Sequence, residues 1–158
     1  MERTKVTFYN IREAHRQDLP DLIELYQHLA EGDDAPDILL ANDLFEQFHA
    51  YPGSEIFIGE VDGVLSASCT LVVVPNLTRG GKPYGLIENV VTHRAFRKRG
   101  FGRQILQFAT DAAWIAGCYK VMLMTGSKKP ETLNFYLGAG FSQTKTGFEK
   151  RRFIPHTE

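Results

Sequence analysis

The chain has 158 residues, 43% of them hydrophobic and 23% charged, with a formal net charge of −1. These values predict one ordinary globular domain, 1–158, whose core needs no staples. The near-neutral charge excludes a surface given over to nucleic acid or acidic membrane. Cys69 and Cys118 make neither a metal-ligand spacing nor a disulfide framework, so no metal is expected. No apolar run is long enough to span a bilayer and the N-terminus lacks a signal-peptide core, so the expected location is cytoplasmic.

In chain order, residues 5–13, KVTFYNIRE, alternate and are rich in β-formers, which predicts the first strand. Asp18 precedes Leu19-Pro20, and a proline suits the first turn of a helix. Leu22, Ile23, Leu25, Tyr26 and Leu29 then make one apolar stripe. Gly32-Asp33-Asp34 breaks that helix, and Pro36 opens a second with Ile38, Leu39, Leu44, Phe45 and Phe48 on its apolar side. Asp62-Gly63 is a tight-hairpin signal joining strands over Glu55–Val61 and Val64–Val74. After the turn-rich PNLTRGGKP comes an apolar strand, GLIENVVT, interrupted by Glu88 and Asn89. A carboxylate inside such a strand is costly unless a cleft or a partner serves it.

Next comes a basic loop, Arg97-Lys98-Arg99-Gly100-Phe101-Gly102, and Arg103. From there Ile105, Leu106, Phe108, Ala109, Ala112, Ala113 and Ile115 recur at helical spacing, and Gly117 supplies a stop. A helix N-terminus offers unpaired N–H groups and partial positive charge, glycines admit close approach, and basic side chains add charge-assisted contacts. That combination suits a phosphate; the plain alternative is a solvated basic turn. Residues 120–124 read as a short strand, Pro130-Glu131 opens a last helix ending at Gly138-Ala139-Gly140, and 148–154 reads as a final strand. The order predicts a mixed sheet with a right-handed parallel crossover.

The loop, with Asn134-Phe135-Tyr136 and Gly140-Phe141 at the appropriate distance beyond it, resembles the GNAT superfamily of N-acetyltransferases. IENVV and GCYK are similar to its glucosamine-phosphate N-acetyltransferase branch. The resemblance implies an α/β fold: a mixed, mostly antiparallel sheet of six to seven strands, about four helices, and central parallel strands that splay apart. It implies acetyl-CoA as cosubstrate and direct transfer of acetyl to a primary amine of a small molecule. The alternatives are a protein or peptide amine as acceptor, or a non-catalytic acyl-CoA sensor on the same fold.

By the same resemblance, Val90, Val91 and Thr92 would offer backbone groups to the pantetheine arm, and residues Arg97, Lys98, Arg99, Gly100, Phe101, Gly102 and Arg103 would hold the pyrophosphate. Asn134 and Tyr136 would also meet the cofactor. Glu88 would be the base, its burial raising its pKa, and Tyr136 the acid. Tyr26, His28, Glu88, Asn89 and Thr125 would line the acceptor. The last strand would be a candidate for exchange in a homodimer. The chain departs from the pattern at Lys129, where many members carry asparagine, at Met124-Thr125-Gly126-Ser127, which replaces an Asp-containing turn, and at Asn89, which replaces an acidic residue.

Overall fold

The computed structural model describes residues 8–153. By its contacts the chain divides into two compact units, Met1–Leu123 and Met124–Glu158. In the first, β1 (Tyr9–Glu13), β2 (Glu55–Val61), β3 (Val64–Val74), β4 (Tyr84–Thr92) and β5 (Val121–Leu123) lie side by side in chain order. β1 to β4 are antiparallel, and β5 joins β4 parallel. The sheet is mixed and mostly antiparallel as expected, but has five strands among the described residues rather than six to seven. Residues 5–7 and Ile154 of the predicted outer strands lie outside the described residues. Residues 148–153 form no strand, and Phe148 and Phe153 are 92% and 77% exposed. Alternating apolar residues make a strand only where a sheet edge receives them.

The helices of this unit are α1 (Leu19–Tyr26), α2 (Ile38–His49) and α3 (Phe101–Ile115). Asp37 caps α2, its carboxylate accepting from the Leu40 N–H at 2.9 Å. Side chains alternate across a strand, and this sorts the core into two layers. Ile58 and Val91 pack with Leu19, Leu22 and Leu25 of α1 and Ala41 and Phe45 of α2. Cys69, one residue out of step with Ser68, turns the other way and meets the Ile105 carbonyl of α3 at 3.8 Å. Leu71, Ile87, Ala109 and Ala113 are at most 1% exposed. The far end of the predicted α3 stripe is not buried: Ile115 is 89% exposed. Among the described residues no helix is long and apolar enough to cross a membrane.

Two contacts hold β1 in place, and each carries a prediction. The Tyr9 ring lies over Gly59 and stacks on Phe101 at 4.5 Å, and its hydroxyl donates to the Phe101 carbonyl at 3.1 Å. A Cβ at position 59 would collide with that hydroxyl and lie 2.8 and 2.9 Å from two ring carbons. Gly59→Ala therefore forces Tyr9 out of its seat, and thermal unfolding is expected to show a loss of about 2 kcal/mol. A wild-type melting curve would contradict the packing described here.

The second contact is ionic. Arg12 donates both terminal nitrogens to Asp18, at 2.8 and 2.8 Å, and one also to Glu60 at 2.9 Å. Asp18 additionally accepts from the His15 N–H at 2.7 Å, so it closes the 3₁₀ turn before α1 rather than capping α1 itself. The Arg12 guanidinium holds the Asp18 carboxyl below its ordinary value. A depressed carboxyl contributes stability that is present above its unfolded pKa of about 4 and is lost as pH falls through the folded value. Arg12→Ala should cost about 1–2 kcal/mol at pH 7. In denaturant titrations the gap from wild type should narrow below about pH 4; a pH-independent gap would contradict the pairing.

The second unit holds α4 (Pro130–Gly138). Gly140 takes φ 92°, the left-handed conformation that lets the chain reverse after the helix. The Phe141 N–H then donates to the Tyr136 carbonyl at 3.1 Å.

Candidate active site

The site begins where β4 stops matching its neighbours. On one side Thr70 faces Glu88 and Ser68 faces Val91, so Asn89 and Val90 together oppose the single residue Cys69. This is a β-bulge, with Asn89 at φ 51°. On the other side β4 pairs with β5 only at Gly85–Val121, Leu86–Met122 and Ile87–Leu123. β4 runs on to Thr92, so the edge from residue 88 onward has no partner on β5. Unpaired strand N–H and C=O groups must find other partners, and an amide-bearing arm of a ligand can supply them. β5 pairs along its whole length and ends at Leu123, so the opening is a β4 edge that outruns a short neighbour rather than the two splaying central strands that the resemblance implied, and β5 is the edge strand of the sheet formed by the described residues.

The bulge also decides what each side chain can do. Glu88 and Asn89 are exposed, Val90 and Thr92 half-buried, and Val91 buried in the core with Leu22 and Phe45. The expected burial of Glu88 is corrected: it stays in register opposite the buried Thr70, yet its own side chain is exposed. Val91 has only its backbone to offer. The Thr92 carbonyl already accepts from the Arg97 side chain, at 3.1 Å.

Arg97 also donates to the His28 carbonyl at 3.0 Å. It thus clamps the basic loop to β4 and to the turn after α1. Arg99 lies over the Phe96 and Phe101 rings, at 5.6 and 5.0 Å. Lys98 and Gly100, on either side of Arg99, take φ 60° and 83°. Such left-handed residues curl the chain so that successive amides converge, a form that suits an anion. Gly100 is the N-cap of α3, and its carbonyl accepts from the Gln104 N–H at 3.1 Å. The amides of Phe101, Gly102 and Arg103 come too early in the helix to join its ladder. The Phe101 side chain and Gly102 are buried, whereas Lys98, Arg99 and Arg103 are exposed. Phe101 can therefore meet a ligand through its amide alone.

The predicted acceptor residues divide. Tyr26 is half-buried, with Thr70 and Ser68 acting on its hydroxyl, and burial raises its pKa. Thr70 is the cross-strand neighbour of Glu88, and directly opposed residues share a sheet face, so Tyr26, Thr70 and Glu88 belong to one face. His28 stacks on His93 at 4.0 Å, and its Nδ1 accepts from the Arg94 N–H at 3.4 Å. Partial burial, then His93, Arg94 and Arg97, hold His28 below its ordinary pKa. Arg94 pairs with Glu31 at 2.9 Å. Thr70, Ser68, His93 and Arg94 were not singled out by the sequence. A signal for two of them was present: Ser66, Ser68 and Thr70 put hydroxyls at every second position of an otherwise apolar strand.

In the second unit Thr125 and Asn134 are exposed. Tyr136 is half-buried, with Phe135 at 5.0 Å and Phe141 at 6.4 Å.

Comparison with known proteins agrees with this geometry. The model of the Acetyltransferase (GNAT) family matches residues 12–141. A glucosamine 6-phosphate N-acetyltransferase of Trypanosoma brucei brucei is 30% identical over 138 residues, 87% of this chain and 92% of its own. A solved protein of Agrobacterium tumefaciens str. C58, whose acetyltransferase description is itself an assignment, is 45% identical with a TM-score of 0.85, over 90% of this chain and 99% of its own. The glucosamine-6-phosphate N-acetyltransferase of Arabidopsis thaliana superposes with a TM-score of 0.83 at 25% identity, over 92% of this chain and 99% of its own.

Proposed function

This chain belongs to the acetyltransferase (GNAT) family and is an N-acetyltransferase by that membership; we propose that it moves acetyl from acetyl-CoA to the primary amine of a small molecule, by direct attack in a ternary complex. The observation that carries this is the end of β4–β5 pairing at Ile87–Leu123, separated by Glu88 alone from the Asn89–Val90 bulge. The pantetheine arm lies along the vacant edge of residues 88–92, its amides replacing the missing ladder bonds. The pyrophosphate sits on the amides of residues 98–103, with Lys98, Arg99 and Arg103 adding charge. Arg97 shapes the loop.

Glu88 accepts the proton of the attacking amine, directly or through water. An N–H near Val90 steadies the oxyanion. Tyr136, at its place in the Asn-Phe-Tyr…Gly-Phe pattern, returns a proton to the departing thiolate, and Asn134 contacts the cofactor. Tyr26, His28, Asn89 and Thr125 border the acceptor. Glucosamine 6-phosphate is the first acceptor to test, because two proteins that this chain resembles carry that name. A thiol-release screen of amino sugars, their phosphates, polyamines, aminoglycosides and peptides tests the reading. Saturable release with one small amine supports it; release with none, at intact acetyl-CoA binding, would leave only a sensor.

We further propose a cytoplasmic homodimer in which the segment read as the last strand, 148–154, is exchanged between subunits. The exposed Phe148 and Phe153 supply apolar surface for that contact. Light scattering at micromolar protein should give twice the chain mass, and a monomer would end that part of the proposal.

A further inference from the structure

A groove of about 650 Å³ lies on the face of the sheet opposite Glu88. Phe57, Glu13 and Glu55 share that face, because Phe57 opposes both Glu13 and Cys69 while Glu55 opposes Leu71. Phe57 packs edge-on against Phe108 of α3 at 5.2 Å. Tyr51, Phe108 and Asp111 complete the part of the lining that matters here. The volume suits a small organic ligand rather than a few waters.

The charges in the groove are one-sided. Glu13, Glu55 and Asp111 line it; His49 is the one basic side chain in the lining, and no lysine or arginine joins it. Glu55 has only 14% of its side chain exposed. One of its oxygens accepts from the Ile56 N–H at 3.1 Å, and the other has the His49 imidazole at 3.6 Å. His49 is itself packed edge-on against Phe45 at 4.4 Å, and Glu13 and His15 also act on Glu55 electrostatically. Burial raises the Glu55 pKa. A carboxylate withdrawn from water gains from a cation of full charge, and aromatic faces attract the same kind of ligand. The exposed Phe108 and Tyr51 rings in the lining favour a cation carried on an apolar body.

We propose that this groove is a second small-molecule site, separate from the β4–β5 opening, that takes an organic ammonium ion with an aromatic or alkyl body. The site does not depend on the acetyltransferase reading, since its lining shares no residue with the catalytic opening.

Benzyltrimethylammonium is a suitable probe because it has no N–H to acetylate. Calorimetric titration of the full chain should show saturable binding, with benzyl alcohol, its neutral counterpart, weaker by at least about tenfold. Glu55→Gln should weaken the probe by about tenfold or more, and the exposed Asp111→Asn by a few-fold. Glu88→Gln should leave it unchanged, which separates this groove from the acceptor region. Absence of saturation up to about 10 mM, binding that survives both groove substitutions, or binding lost in Glu88→Gln would each overturn the proposal.

Discussion

Glu88→Gln lowers turnover by about 10²–10³ at pH 7 and leaves acetyl-CoA affinity within about twofold; this is the largest effect on rate that we expect. The reason lies with the acceptor. An amine of lysine-like pKa, about 10.4, is neutral in roughly one molecule per thousand near pH 7, and recovering the deficit is worth about 4 kcal/mol. The thiolate is the easier partner, because a thiol of pKa about 8.5 leaves tolerably. Proton removal from the amine is therefore the step that most needs protein help. Glu88 is the exposed carboxylate just before the bulge, at the point where β4 loses β5. Its exposure makes glutamine a mild change for the fold, so the melting temperature should not move. If Glu88 is the base, the variant recovers as pH rises and the amine deprotonates unaided, so its pH–rate profile climbs to higher pH than that of wild type. A turnover within about twofold of wild type at pH 7 would remove Glu88 from the chemistry.

Gly100→Val weakens acetyl-CoA by about 100-fold or more, the largest effect on binding that we expect. Gly100, the N-cap of α3, has φ 83°. A Cβ there would meet nothing of the protein nearer than the Gln104 amide at 4.0 Å. The space is open, so the protein side tolerates bulk; the constraints are conformational and on the ligand side. Left-handed backbone costs a side-chain-bearing residue about 1–2 kcal/mol, and a β-branched one stands where the diphosphate must approach. Gly100→Asn separates the two causes. Asparagine tolerates left-handed backbone better than most residues, so its remaining loss of affinity reports bulk alone. Unchanged acetyl-CoA affinity in the valine variant would mean that the diphosphate sits elsewhere.

What the sequence disclosed follows from how local its causes are. Asp62-Gly63 dictates its hairpin within four residues, and both residues take positive φ as a tight turn requires. The second helix was legible as an element, but of its predicted apolar side Phe45 is buried while Ile38, Leu39 and Leu44 are exposed, and the Asp37 cap and buried Ala41 were not read from the sequence. The loop before α3 was readable because its glycine does one backbone job, at Gly100. The bulge was not readable. Asn89 takes left-handed backbone where it and Val90 oppose the single residue Cys69, and that register is set by a strand about twenty residues away in sequence. Glu88 likewise sits in a run of apolar neighbours and proves exposed.

Arg97 shows a second limit. Its charge suggested a phosphate ligand, yet its donors reach the Thr92 and His28 carbonyls, and His28 lies 69 residues away. The last strand shows a third: alternation over 148–154 describes a segment able to pair, and residues 148–153 are unpaired in the sheet of the described residues.

The most direct measurement is a crystal structure with CoA bound. The account predicts diphosphate oxygens within about 2.7–3.2 Å of amides between residues 98 and 103, and pantetheine amides bonded to the β4 edge from Glu88 to Thr92. A CoA molecule seated away from that edge, or strands β4 and β5 paired beyond Ile87 and Leu123 with the ligand present, would contradict it.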